Sequence, residues 1–241
     1  MKVFSKIHQL KSELARFEAG GKTIGFVPTM GALHSGHISL IERAKNENDI
    51  SVCSIFVNPA QFNDKKDLLN YPRTLEQDLR KLDEAGTDFV FTPDADEIYP
   101  QNEPEEIFDF GKLAEVMEGA HRPGHFAGAA RAVAKLFRIV TPDRAYFGEK
   151  DFQQLVIIKK LAEKLFPEIQ IIPCPTVRES DGLAMSSRNM LLDKQARIEA
   201  ALIYKTLLRI KDLKNKMSVD ELKKLAEEEI NSSKFFEVRI L

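Results

Sequence analysis

The segment Pro28 to Leu40, PTMGALHSGHISL, sets His34 and His37 three residues apart around Gly36, where an apolar run gives way to a helical pattern. Residues spaced i and i+3 at a helix start share one face. Imidazoles placed there have three readings: core packing, a zinc site, or a grip on an anion. Zinc needs further ligands at defined spacing, and the spare histidines outside the N-terminal segment, His121 and His125, offer no fixed pattern. Phosphate suits the segment better, because a helix N-terminus presents unpaired N–H groups and partial positive charge, and imidazoles add donors. Gly31 serves the tight turn, and Gly36 lets a ligand reach the backbone without meeting a Cβ.

Three further clusters carry polar chemistry. Gly148 to Asp151, GEKD, places Lys150 between a glycine and Asp151, which is expected to cap the following helix. One turn further on, at least one of Gln153 and Gln154 is expected to face the same crevice. Asn58 and Gln61 bracket Pro59 in VNPAQF; turn chemistry accounts for Asn-Pro but not for Gln61. Ser186, Ser187 and Arg188 follow Gly182 in a polar loop, a composition shared by flexible linkers and by mobile loops that close over a triphosphate. RPGHF, Arg122 to Phe126, is a Pro-Gly turn or, with Arg122 directed inward, an anion contact.

The elements that must position these residues alternate. Thr23 to Val27, Ile50 to Val57, Asp88 to Phe91, Ala145 to Phe147 and Gln170 to Ile172 read as short strands bounded by Pro, Gly, Asn or Asp. Ile38 to Lys45, Leu75 to Glu84, Ala129 to Val140 and Phe152 to Phe166 read as helices, and Thr74 with Gln77 has capping-box spacing. The first residues, MKVFSKIHQLKSELARF, also interleave charged and apolar positions at helical spacing. This alternation predicts an α/β fold, a parallel sheet with helices on both faces. Ligands of such sheets bind outside the carboxyl ends of the strands, and HSGH, VNPAQF and GEKD each follow a predicted strand.

Pro173 and Pro175 are expected to mark a turn or hinge, since proline does not fit a central strand. The predicted division is therefore 1–175 and 176–241. The second part begins with the loop RESDGLAMSSRN. Two helices follow, with apolar stripes Ile203, Leu207, Ile210 and Val219, Leu222, Leu225, Ile230, the second opened by a Ser218/Glu221 capping box. Phe236, Val238 and Ile240 then alternate like a strand, giving a small C-terminal α+β domain.

The totals narrow the partners. Among 241 residues, Lys and Arg number 35 against 37 for Asp and Glu, a net charge of -2, so no global field attracts nucleic acid or anionic lipid. A small-molecule partner is the expectation. Cys53 lies in an apolar run and Cys174 between prolines, which suggests neither a disulfide framework nor a cysteine metal site and fits a reducing cytosol. The N-terminal segment lacks a signal-peptide apolar block, and no run approaches the ~20 residues that span a bilayer.

Taken in order, VPTMGALHSGH, SIFVNPAQF, YPRT, RPGHF, YFGEKDFQQL and MSSRN resemble the pantoate-β-alanine ligases, or pantothenate synthetases, over residues 24 to 192. HxGH alone is shared with other nucleotidyltransferases and class I aminoacyl-tRNA synthetases; the whole series is specific. The resemblance implies a Rossmann-like domain, a C-terminal lid and a cytoplasmic homodimer of the pantothenate and coenzyme A pathway. The implied reaction joins D-pantoate to β-alanine at the expense of ATP, releasing AMP and pyrophosphate through a pantoyl adenylate, with Mg²⁺ carried on the phosphates.

The resemblance also implies the site. Met30, Gly31, Ala32, Leu33, His34, Ser35, Gly36 and His37 bind ATP, as do Gly148, Glu149, Lys150, Asp151, Val177, Met185, Ser186, Ser187 and Arg188. His37 is the principal catalytic histidine with His34 beside it, and Lys150 and Arg188 meet phosphates; together these four supply positive charge to the triphosphate. Gln61 and Gln154 hold pantoate, and Asn58 and Gln61 border β-alanine. Residues that ligate a metal are not specified. Family members continue past the position of Leu241, so the lid is expected to be shorter than usual. The alternatives are a nucleotidyltransferase that stops at the adenylylated product and a non-catalytic ATP-binding sensor; a tRNA synthetase-like fragment is disfavoured by the charge and the lack of a basic extension.

Overall fold

The computed structural model describes residues 1–101 and 103–238. The chain divides into two compact units, Met1–Thr176 and Val177–Leu241. In the first, the order is β1 (Lys2–Phe4), α1 (Ile7–Glu18), β2 (Ile24–Thr29), α2 (Ser35–Glu47), β3 (Ile50–Ile55), α3 (Lys65–Asn70), α4 (Leu75–Glu84), β4 (Phe89–Phe91), α5 (Ala95–Ile98), α6 (Glu118–His121), α7 (His125–Val140), β5 (Arg144–Gly148), α8 (Phe152–Leu165) and β6 (Gln170–Cys174). The strands form one six-stranded sheet in the order β1-β4-β3-β2-β5-β6, and all its pairings are parallel.

Strand alternation builds a core on each face. Phe26, Val52, Phe89, Phe91, Ala145 and Phe147 pack with Leu10 and Leu14 of α1, Phe137 of α7 and Leu155 and Ile158 of α8. The intervening residues Val27, Cys53, Val90 and Tyr146 pack with Leu40, Ile41 and Ala44 of α2 and Leu82 of α4. Each fully buried Leu, Ile or Phe contributes roughly 1.5–3 kcal/mol of transfer free energy. Cys53 is part of the second core; burial pushes its thiol up to about 12, which makes it a packing residue.

The chain order reverses between β2 and β5, the switch point of a doubly wound sheet. There the ladder consists of Gly25↔Arg144 and Phe26↔Ala145, whereas β2 stays paired with β3 through Thr29↔Ile55 and β5 with β6 through Gly148↔Cys174. Pro28 sits in this unladdered stretch of β2, where its missing N–H is not needed by β5. The carboxyl ends of β2 and β5 therefore leave a crevice, and the loops of both strands open onto it.

Several expectations are corrected. The N-terminal segment begins with the edge strand β1 before α1 takes over; three residues pairing with β4 alone are too short to carry a period. Pro173 does not end the sheet but lies within β6, paired opposite Phe147, which β6 tolerates because it is an edge strand. Thr74 does not form a capping box with Gln77, because its hydroxyl is directed to Asp78.

The second unit contains α9 (Lys194–Glu199), α10 (Ala201–Leu213) and α11 (Val219–Asn231). Ser218 and Glu221 form the reciprocal cap of α11. The apolar stripes are only partly inward: Leu222 and Ile230 are buried, while Leu207 and Val219 are 43% and 68% exposed. Among the described residues this unit is helical apart from the single antiparallel bridge Arg178↔Ala184. The Phe236 and Val238 stretch runs irregularly, the Val238 N–H donating to Asn231 Oδ1 at 2.8 Å instead of to a strand partner. Ile240 lies outside the described residues.

Candidate active site at the switch-point crevice

Helix α2 starts with two imidazoles that cap it. The Gly36 N–H donates to His34 Nδ1 at 3.2 Å, and the His34 N–H donates to His37 Nδ1 at 3.2 Å. With both Nδ1 atoms accepting, each neutral ring carries its proton on Nε2. The rings stand 4.0 Å apart at 35°. His34 Nε2 is buried without a protein partner, a donor built for something the chain does not supply.

The rings stay neutral at physiological pH. Burial, then the ammonium groups of Lys150 and Lys81, bring His34 down to about 4. Burial, followed by His34, Lys150 and Lys81, brings His37 to about 3. As neutral rings the pair offers N–H dipoles, and the cations beside it are Lys150 and Lys81. The same dependence places the Lys150 ammonium within electrostatic reach of both rings, although 113 residues of chain separate Lys150 from His37. HSGH and GEKD meet at one rim.

Gly148 ends β5, and Glu149–Asp151 form a 3-10 turn leading into α8. Asp151 does not cap α8 through its side chain, because the 3-10 turn already occupies the approach; its carboxylate lies 3.7 Å from Lys150 Nζ. Gln154 is half-buried on the first turn of α8, and the neighbouring Gln153 has a structural role. Gln153 Oε1 accepts from the Glu118 N–H at 3.0 Å, and its Nε2 donates to the Leu113 and Val116 carbonyls at 2.8 Å each.

Asn58 and Gln61 form a second polar wall. Asn58 is 1% exposed; its Nδ2 donates to Gln61 Oε1 at 3.0 Å and to the Gly128 carbonyl at 3.1 Å, and its Oδ1 accepts from Ala60 N–H and Tyr99 O–H. This fixes which end of the Gln61 amide is the donor, and Gln61 Nε2 points to Met30 Sδ at 2.8 Å. Met30 belongs to the loop carrying His34, so VNPAQF and PTMGALHSGH are in direct contact. His125 reaches the Gln61 carbonyl through Nδ1 at 2.7 Å. Arg122 pairs with Glu118 and His125 rather than standing ready for an anion.

Gly31, Ala32 and Leu33 carry the chain from β2 to the imidazoles. Gly31 has φ +81° and Ala32 φ +49°. Asp78 and Lys81 of α4 hold this turn, by hydrogen bonds to the Ala32 and Leu33 N–H groups and the Leu33 carbonyl. Neither residue stood out in the sequence. The available signal was Asp78 itself, an acid beside Leu79 and Leu82 on the apolar stripe of α4.

Within the second unit, Val177, Met185, Ser186, Ser187 and Arg188 are gathered by a tight hairpin. The Met185 N–H donates to the Val177 carbonyl at 3.0 Å, and Ser186 Oγ accepts from the Arg188 N–H at 3.3 Å. Arg178 stacks over Tyr204 at 3.9 Å. This segment is a built turn rather than a bare linker. Ser35 is exposed at the first position of α2 beside half-buried Gly36.

A doubly wound sheet whose switch-point helix opens with HxGH, with a lysine from the next strand beside it, has the arrangement of the HxGH nucleotidyltransferase superfamily. Within it, the chain belongs to the pantoate-beta-alanine ligase family, whose sequence profile matches residues 2–240. It is 50% identical over 233 residues to the pantothenate synthetase of Bacteroides thetaiotaomicron, covering 97% of this chain and 82% of that protein. The crystal structure of pantothenate synthetase from Thermus thermophilus superposes with a TM-score of 0.91 at 43% identity, covering 97% of this chain and 83% of that one. The pantoate-beta-alanine ligase of Francisella tularensis, complexed with beta-gamma ATP and beta-alanine, gives a TM-score of 0.87 at 42% identity over 96% of this chain and 85% of that one. No helix among the described residues is long and apolar enough to cross a membrane.

Proposed function

We propose that this chain condenses D-pantoate with β-alanine to pantothenate, with ATP cleaved to AMP and pyrophosphate through an enzyme-bound pantoyl adenylate. The observation that carries this reading is the neutral imidazole pair at the start of α2. It offers a buried, unpartnered His34 Nε2–H beside Lys150, at the crevice of a chain from this family.

In the first step a pantoate carboxylate oxygen attacks the α-phosphorus and the bond to the pyrophosphate oxygen breaks. Two unit charges 4 Å apart repel by about 1 kcal/mol in water and about 4 kcal/mol at an effective dielectric of 20. Lys150 offsets that repulsion. The Nε2–H groups of His34 and His37 donate to phosphate oxygens whose charge grows toward the leaving group. The backbone from Met30 to His37, with Gly148, Glu149 and Asp151, frames the nucleotide. Mg²⁺ carried on the phosphates would lower their charge and so add to what Lys150 supplies.

Gln61 and Gln154 bind pantoate through neutral amides, which position the carboxylate without pairing it so strongly that it loses nucleophilicity. In the second step the amine of β-alanine attacks the acyl carbon and AMP departs with the bonding pair. Asn58 contributes by fixing Gln61, and holding the amine at this wall makes the attack intramolecular. In this reading Arg188 meets phosphate, and Val177, Met185, Ser186 and Ser187 bind the nucleotide and help keep out the water that would hydrolyse the adenylate. The working form in this reading is a cytoplasmic homodimer.

A coupled AMP assay tests the reading. AMP formation that requires ATP, pantoate and β-alanine together is the expected result. Pyrophosphate release without AMP would instead indicate a nucleotidyltransferase, and ATP binding without turnover a sensor.

A further inference from the structure

The geometry points to Asp78 as a positioning residue for the phosphate-binding imidazoles, acting through the backbone of Ala32 and Leu33. The inference rests on the proposed role of His34 and His37, though its structural part can be tested without substrate.

Asp78 lies in the first turns of α4 and is 0% exposed. A buried carboxylate is costly unless hydrogen bonds satisfy it. Here Oδ2 accepts from the Ala32 N–H at 2.9 Å, Oδ1 accepts from the Leu33 N–H at 2.7 Å, and Thr74 Oγ1 lies 3.2 Å from both oxygens. The two N–H groups belong to the turn in which Gly31 and Ala32 take left-handed backbone, a conformation that a non-glycine residue such as Ala32 adopts only when its surroundings enforce it. Lys81 of α4 donates to the Leu33 carbonyl, so one helix grips this turn through both a donor and an acceptor.

Packing holds one side of the turn, with Leu33 buried in the core beneath α2 and α4. A cavity of about 370 Å³ is lined by Met30, Gly31 and Ala32 on the loop side and by Thr74 and Asp78 on the α4 side. On the cavity side the turn is held by the Asp78 hydrogen bonds to Ala32 and Leu33. Leu33 is followed directly by His34, whose backbone N–H donates to His37 and whose Nδ1 caps α2. Loss of the Ala32 and Leu33 anchors would therefore release the His34 backbone and uncouple both rings from their Nε2–H tautomers.

Asp78→Asn tests this, since the amide keeps the size of the side chain yet sets an NH₂ donor against a backbone N–H. Long-range ¹H–¹⁵N spectra of the unliganded protein should report Nε2–H tautomers for both histidines in the wild type and mixed tautomers in Asp78→Asn. Pantoate-dependent ATP–pyrophosphate exchange should fall about 30- to 100-fold, with the pantoate KM within about threefold because Gln61 and Gln154 are untouched. Thr74→Val, which removes only the hydroxyl that meets Asp78, should move both readouts the same way by about 3- to 10-fold in rate, and it decides the matter if Asp78→Asn does not fold. Wild-type tautomers and exchange in a folded Asp78→Asn, or in Thr74→Val where the first is unfolded, would overturn the inference. If the wild type itself shows no exchange, the substrate reading fails, while the histidine spectra still report on Asp78.

Discussion

His34 and His37 cap one helix through each other: the backbone of His34 donates to the ring of His37, and the ring of His34 accepts from Gly36. Ser, Thr, Asp and Asn usually do this work, with Glu or Gln three residues on. Imidazoles in the same two places leave a second nitrogen on each ring, with a proton to donate. A structural cap thus becomes a pair of oriented donors at the positive end of α2.

That arrangement makes stability depend on pH. Unfolded imidazoles take up a proton near 6.5, whereas the folded rings hold out to about 4 for His34 and about 3 for His37. Between those values the unfolded chain binds more protons, so the contribution is complete above pH 6.5 and drains away as pH falls toward the folded values. After solvent screening of the half-buried rings, the loss between pH 7 and pH 5 should be about 1–2 kcal/mol more than in a His34→Asn/His37→Asn variant. Urea titrations of both proteins at the two pH values measure the difference; parallel losses would refute it.

Lys150→Ala should leave the fold in place, because the side chain is a third exposed and lies outside both apolar cores. Pyrophosphate exchange should fall by about 100-fold or more, the scale seen when one donor or cation is removed from a developing oxyanion. The imidazole values should also rise somewhat, since the ammonium is one of the groups holding them down, yet remain below 6.5 because burial is the larger cause. Exchange kinetics together with an NMR titration of the histidines check both parts. Near-normal exchange would remove Lys150 from the phosphates.

Much of this was legible in the sequence because the sheet is made of short apolar runs stopped by Pro, Gly, Asn or Asp, and their loops carry the motifs. Ile50–Ile55 and Phe89–Phe91 fall inside the stretches read as strands. What escaped depends on contacts distant in sequence. β1 exists because β4 offers it an edge, and Pro173 stays in β6 because, among the described residues, β6 is an edge strand. Asp78 reads as one more acid on an amphipathic helix until the Ala32 and Leu33 N–H groups, more than forty residues earlier, are seen against it. In the second unit the stripes gave the helices but not their buried faces, as exposed Leu207 and Val219 show. A helix of mixed Lys, Leu and Glu satisfies more than one orientation.

Gly128→Ala should weaken the polar wall of Asn58 and Gln61 from behind. A Cβ at this position would lie 2.1 Å from the Ala60 carbonyl oxygen and 3.0 Å from the Gln61 nitrogen, both backbone atoms. The helix α7 approaches the turn Pro59–Gln61 this closely only because residue 128 has no side chain. Pushing them apart should cost about 1–3 kcal/mol. It should also lengthen the Asn58 bond to the Gly128 carbonyl, loosening Gln61 and raising the pantoate KM more than the ATP KM. Denaturant midpoints and initial rates at varied pantoate read the two effects; a destabilised variant with wild-type KM values would detach Gln61 from pantoate.

Gln154→Ala separates the two substrates most directly. The side chain is half-buried on the first turn of α8, whereas Gln153 beside it is committed to the Leu113, Val116 and Glu118 backbone. Removing Gln154 therefore breaks none of those contacts, and thermal stability should change little. Losing a neutral hydrogen bond to a bound hydroxyl or carboxylate costs about 0.5–1.5 kcal/mol, and up to about 3 kcal/mol when the partner is charged. The pantoate KM should accordingly rise by about 10- to 100-fold at nearly constant ATP KM. Gln153→Ala should behave oppositely, losing stability through the orphaned backbone groups of the 113–118 segment while the affinity for pantoate in the surviving folded fraction stays close to wild type. A selective ATP defect in Gln154→Ala would place this residue at the nucleotide instead.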